Sequence, residues 1–228
     1  MVEKSFNSSI QTSFKGRFLF LLISLLCFLV VSPLLSRFLG IRVLLDIFLS
    51  AIFITALYTF SRKKHLLLIG TLLALPMLAA TWSTYFVKIP FMYLASQCFG
   101  IVFMAFMVGT ILSYVFKQYD ITLDVIYGAV VVYLLTAIMW AFIFRVIDVL
   151  QPGSFTITQG LGEETRFTFI YYSLVTITTL GYGDITPVTD VAKSFSALEA
   201  VVGQIYLVVL VARLVGIHIA QSMNKKSH

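Results

Sequence analysis

Charge is what this chain has least of: Asp, Glu, Lys and Arg make up only 11% of its 228 residues, where a globular domain carries about 25%. A surface so poor in charge excludes a soluble domain and points to a membrane protein. Cysteine is equally sparse. Cys27 and Cys98 both fall inside apolar runs, so packing is their expected role and no disulfide framework is implied. His65, His218 and His228 are scattered near the ends of apolar runs, and none belongs to a cluster with metal-ligand spacing. With no catalytic constellation and no nucleotide motif, an enzyme is not expected. The net charge of +6 comes from basic residues at segment ends. That placement argues against nucleic acid as a partner and fits topology signalling.

What the chain has instead is long apolar runs. Six can be marked, at about 18–36, 41–60, 66–86, 91–116, 121–144 and 192–220, each with the roughly 20 residues needed to cross a bilayer core. A cleaved signal peptide is the alternative for 18–36, but Ser32-Pro33-Leu34-Leu35-Ser36 offers no small-x-small cleavage site, so the segment is kept as a helix. A seventh run, about 166–178, is too short to span and reads as a re-entrant helix, tolerated at membrane depth only inside protein or beside a watery cavity. With the N-terminus inside, the cytoplasmic segments hold Arg62-Lys63-Lys64, the densest basic cluster, together with Lys4, Lys15, Arg17, Lys117, Lys225 and Lys226. The outer segments hold fewer basic residues, so both termini are expected in the cytoplasm.

The most informative stretch follows the short run: Thr176-Ile177-Thr178-Thr179-Leu180-Gly181-Tyr182-Gly183-Asp184. Gly-Tyr-Gly-Asp alone also suits an ordinary turn. The order of short helix, loop, exit through Ile185-Thr186-Pro187 and long helix favours something more specific. A dehydrated cation needs a cage of oxygens, which stacked backbone carbonyls supply. Pointing successive carbonyls one way takes residues out of the usual backbone wells, and Gly181 and Gly183 permit this because they lack a Cβ.

Thr179-Leu180-Gly181-Tyr182-Gly183 resembles the Thr-Val-Gly-Tyr-Gly selectivity filter of tetrameric potassium channels, with leucine in place of valine. The resemblance extends across about 119–222, nearly half of the chain, and includes Glu199, Gly203, Gln204, Tyr206 and Ala212-Arg213-Leu214-Val215-Gly216 of the last helix, which look like those of small prokaryotic ion channels. It implies an all-α membrane protein of six transmembrane helices. A four-helix N-terminal unit (1–117) would precede a pore domain (118–222) and a short cytoplasmic tail (223–228). One chain supplies one filter loop, so a ring needs four chains and the partner is a second, third and fourth copy: a homotetramer, in the cell (inner) membrane of a prokaryote.

The resemblance also assigns residues. Thr179, Leu180, Gly181, Tyr182 and Gly183 would coordinate ions, with K+ held at Thr179, Leu180, Gly181 and Tyr182. Leu180 and Tyr182 would point away from the ion and brace the loop from behind. Thr178 lies at the filter base, and Asp184 at the outer mouth, as a ring of charge or as a tie to the pore helix. Tyr171-Tyr172 stand where many relatives have two tryptophans; the pair would brace the filter, and a tyrosine hydroxyl can still donate to Asp184. Glu199 would sit behind the filter against the pore helix. Gly203 is a gating hinge or a site of close helix packing. Arg213 snorkels inward or pairs with Asp120 or Asp124, and the alternative, lining the cavity, would repel cations. Val175 stands where some bacterial channels place an acid, which is missing here.

The implied function is passive, potassium-selective conduction, with K+ the transported ion and no cofactor. Strong voltage gating is not expected, because 91–116, in the place of a voltage-sensing helix, contains no Lys or Arg. About eight residues follow the last run, so no cytosolic sensing domain is expected after it. The bilayer, the four-helix unit, ions, pH or an unidentified regulatory subunit are left as the sources of gating. The rival readings are a weakly selective cation channel, a non-conducting membrane subunit and a transporter subunit.

Overall fold

The structure is a computed structural model that describes residues 17–35, 50, 64–83, 90–118, 121–157 and 166–226. Six helices are defined among them: α1 (Arg17–Leu35), α2 (Lys64–Ser83), α3 (Pro90–Lys117), α4 (Leu123–Leu150), the short α5 (Arg166–Ile177) and α6 (Asp190–Lys226). Four of these, in α2, α3, α4 and α6, are long and apolar enough to cross a membrane, while the apolar parts of α1 and α5 are shorter. The second expected span, 41–60, which carries the acid Asp46, lies outside the described residues apart from Ser50.

The helices form because apolar side chains cover them nearly all round, the pattern of elements that bury one face in protein and leave the other to lipid. On α1, Phe18, Leu21, Leu25 and Phe28 are fully buried while Phe20, Ile23 and Leu26 are exposed. On α3 the buried stripe is Phe103, Met107, Ile111 and Val115, four residues apart and hence on one face. α2 contributes Gly70, Ala74, Met77 and Thr81. α4 is the centre of the bundle: α1, α3, α5 and α6 all pack on it. Gly128 is where α1, α3 and α4 come closest. A Cβ there would lie 3.2 Å from Val115 and 3.5 Å from Phe18, a use of a small residue common between membrane helices.

Helix ends differ from the sequence expectation in two places. α4 runs to Leu150 instead of stopping near 144. Polar residues in its last turns find partners inside the helix and on α3 and α5. Arg145 is 3.8 Å from Asp148, its Nε donates to Tyr93 Oη at 2.7 Å, and its guanidinium lies over the Tyr93 and Phe169 rings. α6 likewise runs to Lys226, into the segment expected as a tail, since nothing in Asn224-Lys225-Lys226 breaks a helix. The start of α4 is capped by Thr122, whose hydroxyl accepts from the Val125 amide.

Among the described residues the regular structure is helical except for one small ribbon. β1 (Phe155–Ile157) pairs antiparallel with β2 (Ile185–Pro187), Thr156 opposite Thr186. The Val188 amide extends the pairing by donating to Ser154 O at 2.8 Å. This ties the segment after α4 to the segment leaving the glycine-rich loop.

Candidate ion-conduction site

The site is the loop between α5 and β2, residues 178–184, and the helices that hold it. Its backbone alternates: Thr179, Gly181 and Gly183 have φ of 59°, 59° and 80°, with Leu180 and Tyr182 between them on the ordinary side. Alternation of this kind lets successive carbonyls face the same way, because each left-handed residue undoes the turn of its neighbour. Two of the three left-handed positions are glycine, which adopts them without penalty. The third is a β-branched threonine, for which this region is an outlier.

The end of the pore helix sets where the loop begins. The amides of Thr178, Thr179, Leu180 and Gly181 turn back to donate to the carbonyls of Leu174, Thr176, Val175 and Val175 at 2.9–3.3 Å. The hydroxyl of Thr178 donates to Leu174 O at 2.6 Å, and that of Thr179 to Thr178 O at 2.7 Å. The carbonyls of Thr179, Leu180, Gly181 and Tyr182, by contrast, accept no hydrogen bond among the described residues. Donors are consumed on the helix side while four consecutive acceptors are left over. A row of such acceptors is what binding a bare cation would require.

Two tyrosines take different directions. Tyr171 Oη donates to Asp184 Oδ2 at 2.5 Å, and Asp184 Oδ1 accepts from the Ile185 amide at 3.0 Å. The bond to Asp184 holds the Tyr171 phenol up at about 12. Tyr172 turns to the other side, 2.7 Å from Ser196 Oγ on α6. The aspartate at the mouth is therefore tied by Tyr171 alone.

Behind the loop, side chains from α4 and α6 converge on α5. Tyr133 Oη donates to Ile177 O at 3.1 Å. Ser173, fully buried, reaches Ala137 O at 2.6 Å and Glu199 Oε1. Glu199 is itself fully buried, and its Oε2 has no partner. Gly203 lies against the last turn of α5, where a Cβ would come within 2.5 Å of Ile177 O. Close packing thus gives a physical reason for glycine at 203. Tyr206 Oη donates to Ala129 O at 2.6 Å, fixing α6 to α4. Tyr133 and Ser173 were not singled out in the sequence; nothing local marks them, since their roles depend on which helix each one faces.

Leu180 and Tyr182 do not brace the loop within one chain. They are 55% and 66% exposed among the described residues. Arg213 reaches the end of α3. Its guanidinium donates to Phe116 O at 2.5 Å and Gln118 O at 2.9 Å and lies over the Phe116 ring. It serves carbonyls at the end of α3, where a cation also meets the negative end of the helix dipole. Asp120 lies outside the described residues.

Comparison with known proteins finds relatives for this part of the chain. Residues 121–218 match the model of the ion channel family, the span that carries α4, the loop and most of α6. A stretch of 64 residues is 38% identical to the two pore potassium channel c of Oryza sativa subsp. japonica, covering 28% of this chain and 14% of the rice protein. No solved structure gives a significant match.

Proposed function

We propose that this membrane protein, whose residues 121–218 match the ion channel family, is a potassium-selective channel that passes K+ passively through a filter built from four copies of residues 179–183. The observation that carries the reading is the alternation of left-handed backbone at Thr179, Gly181 and Gly183 beside four consecutive carbonyls without partners. Such oxygens can replace the hydration shell of K+ only as a closed ring, and one chain contributes one strand of them. The ion is cargo and needs no resident cofactor. Binding must be strong enough to admit it and weak enough to release it, which stacked neutral carbonyls achieve and a cluster of carboxylates would not.

Assembly as a homotetramer has separate support. α6 is apolar yet almost wholly exposed in one chain, with Val201, Ile205 and Val208 each more than half exposed. Together with Leu180 and Tyr182 they form a surface that neighbouring copies would cover, so the bracing of the filter expected within the chain would come from the next subunit. Four Asp184 carboxylates would ring the outer mouth and concentrate cations there. With Asp46 and the second expected span outside the described residues, the six-helix count and cytoplasmic termini rest on the apolar runs and basic residues of the sequence. α3 has no basic residue before Lys117, so opening should depend only weakly on voltage.

The test is flux through liposomes containing this protein alone, with opposed potassium and sodium gradients. A reversal potential near the potassium equilibrium is expected. A reversal near zero would instead make it a weakly selective cation channel. Absence of flux from a verified tetramer would make it a non-conducting subunit.

A further inference from the structure

Ser173 poses a problem of counting. Its hydroxyl carries one hydrogen, yet its oxygen lies within hydrogen-bonding distance of two groups that ordinarily only accept, Ala137 O on α4 and Glu199 Oε1 on α6. A backbone carbonyl has no proton to give. If Glu199 were a carboxylate, two of these three oxygens would face each other with no hydrogen between them. The count closes in one way: Ser173 donates to Ala137 O, and the carboxyl of Glu199 donates to Ser173 Oγ.

The surroundings agree with a proton on the carboxyl. Glu199 is fully buried, and among the described residues no lysine or arginine forms an ion pair with it. The titratable groups that face it are the phenols of Tyr133 on α4 and Tyr172 on α5, both neutral and both engaged elsewhere, on Ile177 O and Ser196 Oγ. Oε2 is left without a partner. An unpaired carbonyl-type oxygen is a modest cost in an apolar setting, whereas an unpaired carboxylate is a severe one.

We infer that Glu199 is held as a neutral carboxylic acid and acts as a hydrogen-bond donor that fastens the last helix to the helix behind the filter, through Ser173, to Ala137. It is a positioning residue: it touches no ion, and it sets where α5, and so Thr178 and Thr179, stand relative to α6. The inference rests on the channel reading for its consequence but not for its chemistry.

The experiment is infrared difference spectroscopy on the full chain in lipid bilayers at neutral pH, paired with potassium efflux from the same vesicles. The wild type should show the C=O stretch of a protonated carboxylic acid, absent in Glu199→Gln and shifted in Ser173→Ala, which removes the acceptor. Efflux should fall about fivefold in Glu199→Ala, the weight of one neutral hydrogen bond, and recover in Glu199→Gln, whose amide can still donate. If Glu199→Gln fails to assemble, Ser173→Ala in protein labelled with 13C-glutamate carries the test. No protonated-carboxyl band in the wild type, no shift in Ser173→Ala, or a Gln variant that assembles but conducts as poorly as the Ala variant would each overturn the inference. A band present in protein that conducts nothing would leave the inference standing and defeat the channel reading.

Discussion

Thr179 stands at φ 59° in a region that costs a residue with a Cβ about 1–2 kcal/mol. The sequence offers glycine at the next two left-handed positions and threonine at this one, so a hydroxyl is kept where relief from strain was available. Thr179→Gly should therefore raise the thermal stability of the solubilised protein by up to that amount while lowering potassium flux, because the hydroxyl at the filter base is lost. A variant that gained stability with flux unchanged would show that the hydroxyl has no part in conduction. At the mouth, Tyr171 and Asp184 act as a pair. Tyr171→Phe and Asp184→Asn should each impair potassium flux, and the double variant should be less than additive by about 0.5–3 kcal/mol, the range for contacting residues. The Tyr171 phenol is raised above its ordinary value by this bond, so the bond's contribution is fully present below about pH 10 and disappears as pH rises through about 12. Flux should accordingly show no titration of this pair near neutrality. Gly181 and Gly183 were legible in the sequence because only glycine is at ease at positive φ; Thr179 was not, because its conformation is imposed by the amides turned back onto the pore helix.

Between elements, the pore helix is held by contacts of two kinds. An aromatic cluster joins it to α4 and the ribbon: Phe144 meets Tyr172 at 5.0 Å and Phe155 at 5.6 Å, and Phe155 meets Phe169 at 5.2 Å, all edge-on. Phe144 is fully buried, so Phe144→Ala should cost about 3–5 kcal/mol. Hydrogen exchange should then rise together in α5 and in the β1–β2 ribbon, and a rise confined to α4 would disprove the shared cluster. Against α6 the contact is backbone-close at Gly203. Gly203→Ala should destabilise the protein by about 1–3 kcal/mol, since the Cβ meets a carbonyl that cannot step aside. A hinge without packing would instead leave the melting temperature unchanged and alter only opening. The order and approximate positions of these helices were readable from apolar runs, though α4 and α6 run longer than expected. Their partners were not, because a lipid-facing side and a protein-facing side are equally apolar here, and hydropathy cannot separate them.

At the scale of the whole molecule, Arg213 links the end of α6 to the end of α3, and so the pore unit to the helices before it. Arg213→Lys should not restore what Arg213→Gln loses, since a single ammonium cannot reproduce a planar fork serving two carbonyls above a ring. Loss in both variants should appear in thermal stability more than in conductance. Stoichiometry is the other prediction at this scale. If one inactive copy silences an assembly, an equal mixture of wild-type protein and a filter-dead Gly181→Ala variant should retain about one-sixteenth of the flux, the fourth power of one half for a closed ring of four. Half the flux would mean that each chain works alone. The sequence by itself determined that this is a membrane protein, where its apolar helices run and which loop turns left-handed. Those properties are local: hydropathy over some 20 residues fixes a span, and the absence of a Cβ fixes a left-handed turn. Only the tertiary structure decided that Ser173 and Glu199 meet, that Tyr171 and not Tyr172 ties Asp184, and that Arg213 serves carbonyls of α3. Each of these joins residues between 13 and 97 positions apart, and a pairing at such separation is set by how helices rotate against one another as they pack.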